Sequence, residues 1–202
     1  MKHIDKTTRN VKFVLLAAVV VKVFQMVIAS EFSRLAATVA VVPLIFTGDI
    51  LKHFKVRIPA IVEIIFLTFL FVSSILGSLF YFYEYVEHFD KFAHMLSGVL
   101  TAVLGAFILK KWQVRSKNQL AFELIFMNIF SLSVASMWEI YEFLATKVLG
   151  SDLQRVGVSG VTDTMHDIIV AFIGSLAVSG MYYAMVRNEK FRKLSTRIAS
   201  LI

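Results

Sequence analysis

Six stretches of this chain are each apolar over the length a helix needs to cross a hydrocarbon core about 30 Å thick, roughly 20 residues. They cover about residues 11–30, 35–53, 58–80, 89–110, 119–147 and 161–187 of the 202. Little remains between them except short loops. The pattern therefore predicts an all-α, polytopic integral membrane protein, one transmembrane bundle over residues 1–202 with six spans and no soluble domain, linker or repeat. The hydrophobic share of 58% agrees, since soluble domains run at about 45–50%. The absence of cysteine removes thiolate metal sites and thiol catalysis.

The first stretch follows a basic leader, Lys2, Lys6, Arg9 and Lys12. It reads as an uncleaved helix, because its apolar run is longer than a signal-peptide core and contains Lys22 and Gln25. Proline 43 and Thr47-Gly48-Asp49 predict a kinked or short second helix, whereas Pro59 suits the first turn of the third.

The net charge of +7 points to a membrane surface rather than to nucleic acid, because of where the basic residues fall. Sixteen of the 21 lysines and arginines lie at the N-terminus, at Lys52/Lys55/Arg57, at Lys110/Lys111/Arg115/Lys117 and in the tail Arg187/Lys190/Arg192/Lys193/Arg197. The alternate connections hold only Arg34, Lys91, Lys147 and Arg155. The positive-inside rule then puts both termini in the cytoplasm and turns the loops near 31–34, 81–91 and 148–161 outward.

Ionisable residues inside a span cost several kcal/mol and usually face the bundle interior or a water-filled cavity. Three motifs carry them: Phe89-Asp90-Lys91-Phe92-Ala93-His94 opening the fourth span, Trp138-Glu139-Ile140-Tyr141-Glu142 late in the fifth, and Asp163-Thr164-Met165-His166-Asp167 opening the sixth. The charge-derived topology brings all three to one outer layer. Residues three or four apart share a helix face, which pairs Asp90 with His94, Glu139 with Glu142, and Asp163 with His166 and Asp167. Small residues continue these faces inward, Gly98, Ala102 and Ala106 on one helix and Ala171, Ser175 and Ser179 on another. Such stripes permit close helix packing.

Several carboxylates in one low-dielectric layer require a counter-charge. Histidine and carboxylate ligands on facing helices are the usual make-up of metal sites in bundle cores. Mixed N/O ligation without thiolate suits zinc first, with manganese or iron next. The candidate ligands are His94, Asp163 and Asp167, with Glu142 or His166 as a fourth, and Glu139 is the candidate general base on metal-bound water. Asp90, Lys91, Trp138 and Tyr141 complete the polar site. Two alternatives stand beside this one: a metal-free network in which Lys91, Arg155, Tyr141 and Trp138 satisfy the carboxylates, and a proton relay of the kind that lines transporter pathways.

Lys22, Asp49, Glu63 and Glu123 read as structural ion pairs or snorkelling side chains, with a cytoplasmic half-channel as the sharper alternative. The run Leu79-Phe80-Tyr81-Phe82-Tyr83-Glu84-Tyr85 reads as an interfacial aromatic belt, from which Glu87 or His88 are candidates to close over the site. No nucleophile elbow or nucleotide-binding loop occurs.

At these motifs the chain resembles YjdF-type bacterial inner-membrane proteins and, more distantly, VanZ-like proteins. The shared pattern is Asp-Lys-x-x-His (Asp90, Lys91, His94), Trp-Glu-x-x-Glu (Trp138, Glu139, Glu142), and Asp-x-x-x-Asp followed by small residues (Asp163, Asp167, Gly174), over about residues 75–185. The resemblance implies a multi-pass protein of the bacterial inner membrane and, through the VanZ-like relatives, a link to the cell envelope and glycopeptide resistance. It supplies no reaction. The residues themselves suggest metal-assisted hydrolysis or group transfer on a lipid-linked or envelope substrate; the alternatives are a proton- or cation-coupled carrier, or a non-catalytic envelope protein whose polar cluster is structural.

Overall fold

The computed structural model describes residues 2–30, 35–149 and 160–188. Arg34, Arg155 and the tail residues Lys190, Arg192, Lys193 and Arg197 lie outside the described residues. The described elements are helical throughout: α1 (Lys2–Ala29), α2 (Leu35–Ile45), α3 (Thr47–His53), α4 (Ala60–Leu70) running into a π-helical segment (Phe71–Leu79), α5 (Phe82–Tyr85), α6 (Phe89–Lys111), α7 (Gln119–Leu149) and α8 (Thr162–Arg187). Among the described residues there is no strand.

Among the described residues, five helices are long and apolar enough to cross a membrane: Lys6–Ala29, Ala60–Leu79, Phe89–Lys111, Gln119–Val148 and Thr162–Arg187. The second expected span differs. It breaks at Phe46 into α2 of 11 residues and α3 of 7; at 1.5 Å per residue α2 alone is only about 16 Å long, half a hydrocarbon core. Pro43 lies inside α2, three residues before the break, and lacks the N–H that would bond the carbonyl four residues back; at the break Phe46 N–H bonds the Pro43 carbonyl at 3.2 Å and Thr47 Oγ1 donates to the Leu44 carbonyl at 2.8 Å.

The chain divides into two compact units, residues 1–89 and 90–201. In the first, α1 contributes Leu15 and Val19, α2 contributes Val41 and Ile45, and the α4 and π segments contribute Leu67, Leu70, Ile75 and Leu79 to one apolar core. The i, i+4 spacing within α1 and α2 is what puts each pair on one face. At Tyr81 the backbone turns through the left-handed region, φ 63°. The turn brings the Tyr83 ring onto Gly77, where a Cβ would collide with it, and sets Phe82 and Tyr83 edge-on to Phe89 at 5.3 and 5.4 Å. Part of the expected aromatic belt is thus packing; Tyr85 remains 80% exposed.

In the second unit α6, α7 and α8 bury narrow stripes. On α7 they are Met127, Ser131, Ala135 and Glu139; on α8, Asp167, Ala171, Ser175 and Ser179. Both stripes repeat every four residues, the spacing of one helix face. Gly98 of α6 lies directly against the backbone carbonyl of Ala171, and Gly174 of α8 against that of Met95, so α6 and α8 touch backbone to backbone. Below this crossing a second set of polar contacts joins the helices. Thr101 Oγ1 donates to Ser131 Oγ at 2.8 Å, Ser175 Oγ to Asn128 Oδ1 at 2.8 Å, and Asn128 Nδ2 to Ser179 Oγ at 2.9 Å. Side-chain hydrogen bonds between membrane helices are worth roughly 0.6–1 kcal/mol each. Asn128→Leu is therefore expected to cost about 1–2 kcal/mol, read as a lower melting temperature in detergent.

The outward faces are apolar: Phe13, Ile28, Ile129, Met137, Ile173 and Met181 are all exposed. Apolar surface on this scale calls for lipid or a partner to cover it.

Candidate functional site

Lys91 of α6 is the hub of the polar layer. Its Nζ lies 2.5 Å from Asp163 Oδ1, 2.7 Å from Asp167 Oδ1 and 3.4 Å from Asp90 Oδ2. One turn further along α6, His94 Nε2 faces Asp90 Oδ1 at 3.6 Å, Asp167 Oδ1 at 3.9 Å and Glu139 Oε1 at 4.0 Å. His94, Glu139 and Asp167 are 8%, 4% and 3% exposed, so this second tier is buried. Three helices meet here because each motif keeps its polar residues on one face, and because the glycine crossing lies one turn below. Gly98 follows His94 by four residues and Ala171 follows Asp167 by four.

The expected site residues divide accordingly. His94, Asp163, Asp167 and Glu139 come together, and Asp90 joins them through His94 and Lys91. Glu142 is half-buried at the edge, where Trp138 Nε1 donates to its Oε1 at 3.0 Å; Trp138 itself is 50% exposed and packs on Tyr141 at 5.3 Å. His166 is exposed and makes none of the contacts of the cluster. Asp90, His94 and Asp167 each offer an atom within 4.8 Å of the other two, a group able to hold a metal ion. Asp163, which the sequence also offers as a ligand, lies against Lys91 Nζ and is not one of these three.

The four isolated charges found in the sequence each meet a specific partner. Lys22 Nζ lies over the Tyr81 ring at 4.4 Å, a cation–π contact. Lys12 Nζ pairs with Asp49 Oδ2 and Glu63 Oε1, both at 2.6 Å. Glu123 accepts from Tyr182 OH at 2.6 Å and from Gln119 Nε2 at 2.8 Å. Glu87 and His88 are exposed and pair with each other at 3.3 Å. Sequence reading named neither Lys12 as the partner of Asp49 and Glu63 nor Asn128 as a link to α8; both join residues far apart in the chain, with no local spacing to mark them.

Long apolar helices, exposed apolar faces and charged residues withdrawn into helix contacts define a helical membrane protein. Residues 10–188 match the family model described as predicted membrane protein (DUF2238), and the chain belongs to that family. No curated protein and no solved structure matches it. The narrower likeness to YjdF-type and VanZ-like proteins rests on the three motifs alone.

Proposed function

We propose that this is a multi-pass protein of the bacterial inner membrane, with six spans counting the broken α2–α3 segment and both termini cytoplasmic. Its α6–α7–α8 unit holds a divalent metal ion, zinc before manganese or iron, for hydrolysis or group transfer on a lipid-linked envelope substrate. The observation that carries this reading is the Asp90/His94/Asp167 group. Ligands at zinc bond lengths stand about 3.4 Å apart in a tetrahedron; the His94 Nε2 separations of 3.6 and 3.9 Å from the two aspartates need only a few tenths of an ångström of contraction. Charge favours a cation too: among the described residues, five carboxylates, Asp90, Glu139, Glu142, Asp163 and Asp167, share the layer with one ammonium, Lys91. Glu139, 4.0 Å from the same imidazole, is the general base for a water on the open position. Asp163 and Glu142 act around the ion, and His166 is left out of the ligand set.

A second reading has its own observation. Lys91 already bonds Asp167 through Oδ1, the oxygen that faces His94, so the ammonium serves as the internal cation of a metal-free ion-pair network. Metal content decides between the two. Mass spectrometry of the detergent-purified protein, equilibrated with zinc or manganese and desalted, is expected to show about one ion per chain, lost in His94→Ala and in Asp167→Asn. A folded parent without bound metal sinks the metal reading and leaves the network.

A further inference from the structure

The first unit contains an open cleft of about 1020 Å³ between α1, the α2–α3 break and the start of α4. We infer that it binds the phosphate headgroup of an anionic phospholipid, a site independent of the acidic cluster.

The charge balance of its walls is the first reason. Arg9, Lys12, Lys52 and Arg57 line the cleft, against Asp49 and Glu63. Lys12 engages both carboxylates, which together exceed it by one negative charge. Counted over the described residues, the remaining three cations leave the cleft at +2. Guanidinium groups suit phosphate through paired N–H donors, and basic pockets between helices at the cytoplasmic side are the usual sites for anionic lipid headgroups.

Thr8 is the second. The residue lines the same cleft and is 6% exposed, and its Oγ1 has no hydrogen-bond partner among the described residues. A buried hydroxyl is ordinarily bonded; a phosphate oxygen in the cleft accepts from it. The third reason is the apolar part of the wall. Phe13, Leu16, Phe46 and Ile58 line the cleft beside the cations, and Phe13 is 73% exposed, so an acyl chain has a surface to follow outward. A free phosphate uses only the basic half. The cleft also depends on Gly48, where a Cβ would collide with the Glu63 carboxylate that holds Lys12.

Native mass spectrometry of the full-length protein in detergent tests the proposal, with phosphatidylglycerol and phosphatidylcholine of identical acyl chains as probes and inorganic phosphate as a third arm. One phosphatidylglycerol per chain is expected to be retained in preference to phosphatidylcholine. Arg9→Gln/Arg57→Gln is expected to weaken retention about 25-fold, since each basic side chain near an anionic headgroup contributes roughly fivefold, and Thr8→Val to weaken it to a smaller degree. Lys55→Gln, a nearby exposed cation outside the lining, is expected to leave it unchanged. Should the double variant fail to fold, Arg57→Gln alone carries the test, because Arg57 is exposed in the α3–α4 connection. Equal retention of the two lipids, or equal retention by parent and folded variant, overturns the proposal. Binding of inorganic phosphate with no preference for phosphatidylglycerol overturns the lipid as its source.

Discussion

Replacing Lys91 by methionine is expected to lower the stability of the α6–α7–α8 unit by about 3 kcal/mol, the low end of the range for removing one partner of a buried ion pair. The low end applies because the lysine side chain keeps 20% of its exposure. The loss comes from what is left behind: Asp163 and Asp167, 15% and 4% exposed at their side chains, face each other and Asp90 with no ammonium between them. Melting followed by size-exclusion chromatography in detergent reads the effect, and two additions interpret it. Lys91→Met/Asp167→Asn is expected to recover part of the loss, since it removes one of the stranded charges. Zinc or manganese is expected to restore stability in Lys91→Met and to bind it more tightly than the parent, because the ammonium no longer competes for Asp167 Oδ1. A variant destabilised to the same extent with and without either metal supports the metal-free network instead.

Gly98→Ala is the second large effect. The added methyl meets the Ala171 carbonyl, a backbone atom that no rotamer change can move aside, so α6 and α8 have to separate. Overpacking of this kind typically costs about 1–3 kcal/mol. The consequence extends to the site, because His94 and Asp167 stand one turn from the two residues that touch. Separation there lengthens the 3.9 Å approach of His94 to Asp167, and metal retention is expected to fall together with the melting temperature. Gly174→Ala is expected to act alike through the Met95 carbonyl. Gly180→Ala provides the control: nothing lies within 4 Å of a Cβ at that position, and alanine is the better helix former by about 0.8–1 kcal/mol. Its melting temperature should equal or exceed the parent's. Loss at Gly180 equal to that at Gly98 would mean that the helix crossing is not what holds the two aspartates and the histidine together.

How far the sequence reaches is clearest along the helices. Their extents were legible because hydropathy over about 20 residues is a local property; α6, expected over about 89–110, runs over Phe89–Lys111, and α8, expected over about 161–187, runs over Thr162–Arg187. The break at Phe46 was legible for the same reason, since Pro43 and the Thr47-Gly48-Asp49 interruption flank it in the chain. Membership of one polar face was legible wherever residues stand four apart: Asp90 with His94, and Asp163 with Asp167.

The rotation of each helix about its axis was not legible, because packing against neighbouring helices sets it. Successive residues turn by about 100°, so once the contact of Gly98 with Ala171 aims Asp167 into the bundle, His166 has to point elsewhere; spacing alone had left both as ligands. The same packing assigns Lys91 to Asp163 and Asp167 and sets Asp90 beside His94. The sequence by itself determined the helices and the chemistry available on each. Only the tertiary structure decided which charges meet, because that depends on a backbone contact between residues 73 positions apart.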